Sequence, residues 1–339
     1  MTQKLEKGVV HDGWAFKLSP EDEGYHPNSD HTWHNEGSWF GFFVPERNID
    51  VWCYNLTRRN LGIVAGGVWA WDHVSSEPCE ALYYSNYHGL PFDPSSDLRN
   101  IIFPSGLKVE TIEPLKKHRL RYSDAGLIDI DVIFEGITDP WVTPTTDDSG
   151  RFMRYEQACH VTGEMTIRGE RMVIDCYSFR DHSWSIRPER RPQFRVGRRW
   201  SLPPQELGNG QVPNAYMFGT ASARDAFFVS GIGPSAYRIK DGVRCPMPPV
   251  WQTTERSDES GLLTKVTLAG TDTLGRPFKA MGECASVMSF LMPGGQGVLN
   301  NHLFKWSFDG TTGWGEVQEM WPLDGWSDFR RWQRTQNNK

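Results

Sequence analysis

Residues Ile128-Asp129-Ile130-Asp131-Val132-Ile133-Phe134 follow a two-residue period of apolar and polar side chains. A chain that repeats such runs builds sheets, because successive side chains of an extended strand point to opposite faces. The run is not isolated. Ser38 to Val44 is aromatic and apolar, Ile49 to Leu56 alternates, and Leu61 to Trp71 is apolar with Gly66-Gly67 inside it, a pair that marks a bulge or a close backbone approach. Short connections such as Arg58-Arg59-Asn60 make antiparallel hairpins the expectation. Leu107 to Pro114, Lys117 to Tyr122 and Leu127 to Gly136 extend the meander, and no segment before residue 150 carries a helical period over three turns.

A long loop is expected from Asp139 to Gly150, where Pro140, Pro144 and the polar run Thr145 to Gly150 interrupt the pattern. Strands resume at Tyr155 to Val161, and Gly163 to Arg168, a turn at Gly169-Glu170 and Arg171 to Tyr177 form a hairpin signal. After a basic, proline-punctuated stretch (Arg187, Arg190, Arg191, Arg195, Arg198, Arg199), short strand candidates return from Asn214 to Asp309. A chain of 339 residues exceeds what one core usually serves. The expectation is an all-β protein with tandem antiparallel β-barrels or sandwiches: an irregular lead-in over 1–36, a first domain over 37–186, a linker over 187–204 and a second domain over 205–339.

The net charge of −6, with Lys and Arg scattered among Asp and Glu, excludes a basic face for nucleic acid or an anionic membrane. Met1 to Lys7 has no apolar core of a signal peptide and no run is long enough to span a bilayer, so a soluble, cytoplasmic protein is expected. The six cysteines, at 53, 79, 159, 176, 245 and 284, form no C-x-x-C clip and read as reduced thiols. Asp30-His31-Thr32-Trp33-His34-Asn35-Glu36 holds groups able to bind a metal, but no further ligand at fixed spacing completes a site, and a surface loop is expected there. Phosphate-binding, zincin and nucleophile-elbow motifs are absent, so neither a cofactor nor a metal is expected. The aromatic content, 15 Trp, 18 Phe and 10 Tyr, suits β walls around an apolar cavity.

The densest chemistry lies in Tyr177-Ser178-Phe179-Arg180-Asp181-His182-Ser183-Trp184-Ser185-Ile186-Arg187. On a continued strand Arg180, His182 and Trp184 share one face, while Asp181 and Ser183 take the other. Asp181 can then share a pocket with His182 only where the chain bends. Trp69, Trp71, Tyr84 and Glu156 are further pocket candidates.

Gln157-Ala158-Cys159-His160-Val161-Thr162-Gly163, the Gly169 turn, and Phe179-Arg180-Asp181-His182-Ser183-Trp184 followed by Arg187 resemble the signature of the AttH-like, or hydroxyneurosporene synthase-like, superfamily. Gly313-x-Gly315 with Glu319 resembles a C-terminal motif of its bacterial relatives. The resemblance implies two lipocalin-like β-barrels and an acid–base enzyme, a hydratase, dehydratase, isomerase or cyclase, whose hydrophobic terpenoid, steroid or polycyclic substrate lies between the barrels. It implies catalytic roles for His182, Asp181 and Tyr216, and substrate contacts from Trp184, Arg180 and Arg187. The acid expected shortly after the tyrosine is missing, because Met217, Phe218 and Gly219 follow Tyr216. The alternative is a non-catalytic carrier of a hydrophobic ligand. Either way the expected partner is a hydrophobic small molecule, with no nucleic acid, no membrane span and a homodimer left open.

Overall fold

The computed structural model describes residues 18–27, 30–142, 153–187, 215–230, 236–247, 250–292 and 297–337. Most of the expected basic linker and the run Thr145 to Gly150 lie outside the described residues. The chain divides into two compact units, Met1–Asp72 with Cys79–Pro188, and His73–Pro78 with Glu189–Lys339.

In the first unit the alternating runs become strands β1 (His34–Val44), β2 (Ile49–Arg58), β3 (Ile63–Trp71), β4 (Tyr83–Pro91), β5 (Asn100–Ile102), β6 (Lys108–Glu113), β7 (Lys117–Asp124), β8 (Ile128–Gly136), β9 (Trp141–Val142), β10 (Met153–Ile167) and β11 (Glu170–Ile186). They form one antiparallel sheet in the order β4-β3-β2-β1-β11-β10-β8-β7-β6-β5, with β9 beside β10. Two meanders are thus joined where the first strand pairs with the last. Tyr83 on β4 and Tyr122 on β7 share a 2.6 Å hydrogen bond although both stand near opposite ends of that order, so the sheet curls on itself. Strand β8 shows why: Ile128, Ile130, Val132 and Phe134 are at most 3% exposed while Asp129 and Glu135 face solvent. Each such apolar side chain contributes roughly 1.5–3 kcal/mol on burial, so a one-residue slip in register would forfeit all four.

Local chemistry fixes the connections. Arg168 (φ 50°) and Gly169 (φ 82°) both adopt positive φ in the two-residue turn that pairs Ile167 with Glu170, the geometry that matches strand twist. Gly66 (φ 112°) lies at a register shift between β3 and β4, and a Cβ on Gly67 would sit 1.9 Å from the Ser85 carbonyl oxygen. The glycine pair is therefore both a bulge and a close approach.

The second unit repeats the topology without repeating the sequence. Strands β12 (Ala215–Ser222), β13 (Asp225–Ser230), β14 (Ala236–Lys240), β15 (Val243–Pro246), β16 (Trp251–Arg256), β17 (Leu263–Thr271), β18 (Pro277–Leu291), β19 (Gly297–Phe308) and β20 (Thr311–Pro322) follow the order β15-β14-β13-β12-β20-β19-β18-β17-β16. First again pairs with last, and a buried ion pair from Arg238 on β14 to Asp272 after β17 spans the curled sheet (Nε to Oδ2, 3.0 Å). The all-β class with two tandem β-barrels is thereby established.

Two expectations change. The lead-in does not stay irregular to residue 36: β1 starts at His34, and His34, Asn35 and Glu36 are 9%, 2% and 2% exposed. Pairing with β11 on one side and, from Glu36 onward, with β2 on the other buries what reads in isolation as a polar surface loop. The tail, singled out in the sequence for Gly313, Gly315 and Glu319, forms β20 and then helix α1 (Leu323–Asn337). Trp326, Phe329, Trp332 and Gln333 recur at helical spacing on one side of α1. Phe329 packs on Trp321 (5.5 Å), and Gln333 donates to the Ser257 carbonyl (2.8 Å). Among the described residues no helix is long and apolar enough to cross a membrane.

Candidate functional site: a buried imidazole–carboxylate relay

Strand β11 runs through the whole central motif without a register shift against β10. His182 stands opposite Ser38 on β1 and Tyr155 on β10, Trp184 opposite Glu36, and Arg180 opposite Gln157. Directly opposed residues share a face, so Glu36, Tyr155, Gln157, Arg180, His182 and Trp184 all point to the inside of the first barrel.

A short segment from Ser19 to Pro27 lies over this face. A 3-10 turn (Pro20–Glu23), tied by the Ser19 backbone N–H donating to Asp22 Oδ2 (2.6 Å), delivers Glu23 and His26. His26 Nδ1 donates to Glu36 Oε1 (2.7 Å), its backbone N–H donates to Glu36 Oε2 (3.1 Å), and its Nε2 donates to Asp22 Oδ1 (3.2 Å). His182 Nε2 donates to the same Glu36 Oε1 (2.8 Å), while its Nδ1 lies 3.2 Å from the Tyr155 hydroxyl. That hydroxyl also reaches Glu23 Oε2 (3.1 Å), and Glu23 is clamped by Arg180 (Nη2 to Oε1, 2.6 Å; Nη1 to Oε2, 3.2 Å) and by the Leu115 backbone N–H (2.8 Å). Gln157 accepts from Arg180 Nε (2.8 Å). The rings of His26 and Trp184 stack at 3.3 Å between centroids.

The electrostatics follow from this wiring. Burial pushes the Glu36 carboxyl up, but hydrogen bonds from His182 and His26 outweigh it and hold the pKa at about 2. Burial opposes charge on His26, yet Asp22 and Glu36 raise it above the ordinary imidazole value, and the indole face of Trp184 favours the cation further. Burial also acts against Glu23, but Arg180 and His118 keep it well below the usual carboxylate range. Tyr155 is driven well above the usual phenol value by burial and by Glu23, so its single proton stays on oxygen. The hydroxyl stands within donating distance of both Glu23 Oε2 and His182 Nδ1. The chain Glu23, Tyr155, His182, Glu36, His26, Asp22 is therefore a continuous hydrogen-bonded path. Its outer end is Asp22, whose side chain is 27% exposed. His118 borders the path: its Nε2 lies 3.2 Å from Glu23 Oε2, off the line of a good hydrogen bond, and burial lowers its pKa to about 4.

His302 in the second unit offers a contrast. It is fully buried too, but its Nδ1 donates to the Val317 carbonyl (3.1 Å) and its Nε2 accepts from the Leu263 backbone N–H (3.2 Å). Both its partners are backbone groups that cannot exchange protons. Those of His182 are side chains that can.

The residues singled out in the sequence fall into separate places. His182, Trp184 and Arg180 join the relay. Asp181 takes the opposite face of β11, where Arg154 Nη2 meets its Oδ2 at 2.8 Å; Glu36 and Tyr155, not Asp181, orient His182. Glu156 stands opposite Asp181 and also accepts from Arg154 (Nε to Oε2, 3.3 Å). Trp69, Trp71 and Tyr84 share that outer face, with Trp69 stacked on Tyr84 (5.9 Å) and tilted against Trp52 (5.8 Å). Arg187 follows β11 directly, with its backbone N–H on the Trp33 carbonyl (2.8 Å). Tyr216 is on β12 in the second unit, opposite Ser230 and Gln318, with its ring stacked on Phe228 (6.1 Å). Sequence inspection missed Asp22, Glu23, His26 and Tyr155 and read Glu36 as exposed. The only local signal was the spacing of Asp22 and His26.

His26 Nδ1, Glu36 and His182 Nε2 are also a compact ligand set, with all ligand atoms within 4.8 Å of one another. A family model described as a domain of unknown function, DUF7064, matches residues 19–323. The chain belongs to the DUF7064 family. The matched span begins at Ser19, so every group of the relay lies inside the DUF7064 domain. Among solved structures the DUF7064 chain is similar to a Nitrosomonas europaea protein assigned provisionally as AttH (12% identity over 93% of this chain and 98% of that one, TM-score 0.48). It is also similar to kievitone hydratase of Nectria haematococca (13% identity, 91% and 94%, TM-score 0.47) and to CghA (12% identity, 91% and 90%, TM-score 0.46). At such identities none of them lends its chemistry to this chain. No curated protein sequence matches it.

Proposed function

We propose that this DUF7064 protein is an acid–base enzyme of the lyase or isomerase kind, acting on a hydrophobic terpenoid, steroid or polycyclic substrate. One observation carries the proposal: His182 is held between an ionised carboxylate, Glu36, and a protonated phenol, Tyr155, inside a barrel. A buried polar chain of this length is a poor way to stabilise a core, since well-packed apolar side chains do as well or better. It is a good way to hold an imidazole whose proton can be delivered and restored. In this reading His182 donates or accepts the substrate proton, Tyr155 and Glu36 fix its orientation, and His26 with Asp22 returns the proton to solvent. Trp184 and Tyr155 provide π faces for a developing cation.

The carrier reading draws on one observation as well, that His182 is only 1% exposed beneath the Ser19 to Pro27 segment. The two separate in one experiment. Terpenoid and steroid alkenes are incubated with the protein in heavy-oxygen water and, in parallel, in deuterium oxide. The enzyme gives labelled alcohol or deuterium at carbon, and His182→Ala abolishes it. Binding of the same compounds with equal affinity by both proteins, and no label in either, establishes the carrier and refutes the enzyme.

A further inference from the structure

The convergence of His26, Glu36 and His182 points beyond proton transfer: we propose that these three residues bind one divalent transition-metal ion through His26 Nδ1, His182 Nε2 and the Glu36 carboxylate. They come from three separate segments, yet their ligand atoms lie within 4.8 Å of one another. Bonds of about 2.1 Å to a common ion set ligand pairs roughly 3–4 Å apart. The His26–Glu36 and His182–Glu36 contacts of 2.7 and 2.8 Å are somewhat shorter than that spacing and would lengthen on binding.

The surroundings are those of a ligand set. Metal-bound imidazoles hold their second ring nitrogen on a carboxylate, carbonyl or other polar group, which fixes the ring plane. His26 has Asp22 Oδ1 on its far nitrogen at 3.2 Å, and His182 has the Tyr155 hydroxyl at 3.2 Å. The carboxylate is held as well, because the His26 backbone N–H donates to Glu36 Oε2 (3.1 Å). Charge favours a cation: Asp22, Glu23 and Glu36 bring three carboxylates, against Arg180 as the guanidinium paired with Glu23. Asp22 and His26 are 27% and 13% exposed, which gives an ion a route to the inner ligands.

Two imidazoles and one carboxylate suit zinc, iron(II), cobalt or manganese; the hard, oxygen-seeking calcium and magnesium ions suit it poorly. The sequence conceals such a set because Glu36 lies 10 residues from His26 and 146 from His182, without fixed-spacing pattern.

The test needs no substrate. Full-length protein purified without chelator is analysed for metals by mass spectrometry, then stripped and titrated with cobalt(II) while visible absorption is read. The expected result is one equivalent per chain with ligand-field bands. Glu36→Gln and His26→Gln should each abolish uptake, and Asp22→Asn should weaken it about 10- to 100-fold. His160→Ala, on an exposed imidazole paired with Asp175 (2.7 Å), should leave it unchanged. Absence of stoichiometric metal and of cobalt uptake in the wild type would overturn the site, as would full uptake by Glu36→Gln with circular dichroism matching the wild type. Because two single-ligand variants are used, misfolding of one leaves the other informative. The ion would take the ring-nitrogen lone pairs that the proton relay uses, so the two readings describe an ion-bound and an ion-free state; metal uptake is read without substrate and turnover with chelator present, which tells the failure of one from the failure of the other.

Discussion

Replacing Glu36 with glutamine removes the charge on which two histidines converge while keeping the side chain's volume. In the folded, ion-free chain burial raises the Glu36 carboxyl, but His182 and His26 hold it at about 2 against an ordinary 4.5. A shift of that size corresponds to roughly 3 kcal/mol, in line with the 3 to 5 kcal/mol lost on average when one partner of a buried ion pair is deleted. A depressed carboxyl contributes stability that is complete above pH 4.5 and disappears as pH falls through about 2. His26 acts in the opposite sense: burial works against its charge, Asp22 and Glu36 raise it above 6.5, and its contribution is complete below pH 6.5 and disappears as pH rises through the folded value. The stability difference between wild type and Glu36→Gln is therefore bell-shaped in pH. It is greatest, roughly 3 kcal/mol, between pH 4.5 and 6.5. Urea unfolding of the full chain with chelator present, followed by near-ultraviolet circular dichroism from acid to alkaline pH, measures it. A difference that stays flat with pH would refute the reasoning, because the loss would then come from packing and not from charge.

Glu23→Gln leaves Arg180 buried without its counter-charge and should lower stability by about 3–5 kcal/mol, part of which Arg180→Met added in the same chain restores; thermal denaturation reads both. His302 should remain neutral at pH 6 with its proton on Nδ1, since burial lowers its pKa to about 4, and a doubly protonated ring in nitrogen-detected NMR would contradict the backbone wiring. Thiol labelling of the native protein should begin at exposed Cys79, whereas buried Cys53, Cys159 and Cys176, whose thiols burial pushes up to about 12, stay silent until the chain unfolds. Gly315→Ala would place a Cβ 2.0 Å from the Phe218 carbonyl oxygen, so β20 and β12 must part; a loss of more than about 2 kcal/mol by denaturant titration is expected.

The glycine pair Gly313 and Gly315 shows how a motif can be legible and its cause hidden. The sequence shows that no dinucleotide loop follows it. Only the β12–β20 pairing shows that Cβ atoms there would meet the Thr220 and Phe218 carbonyls at 2.4 and 2.0 Å. The central motif behaves similarly. Face alternation correctly separates Arg180, His182 and Trp184 from Asp181, a local property of any extended strand. The partner of His182 cannot be had the same way, because alternation fixes a residue's face and not which strand lies beside it.

What the sequence determined is what neighbouring residues enforce on one another: two-residue periodicity in β8, glycines in the turn at Gly169 and the bulge at Gly66, an all-β class, and the face on which His182 points. What only the tertiary structure decided is the company His182 keeps. Closure of the first sheet by β1 against β11 brings Glu36 across 146 residues, and the Ser19 to Pro27 segment adds His26 and Glu23 to the same face. Those contacts depend on how a whole barrel buries its apolar side chains, a free energy summed over many strands, and so no short stretch of sequence carries them.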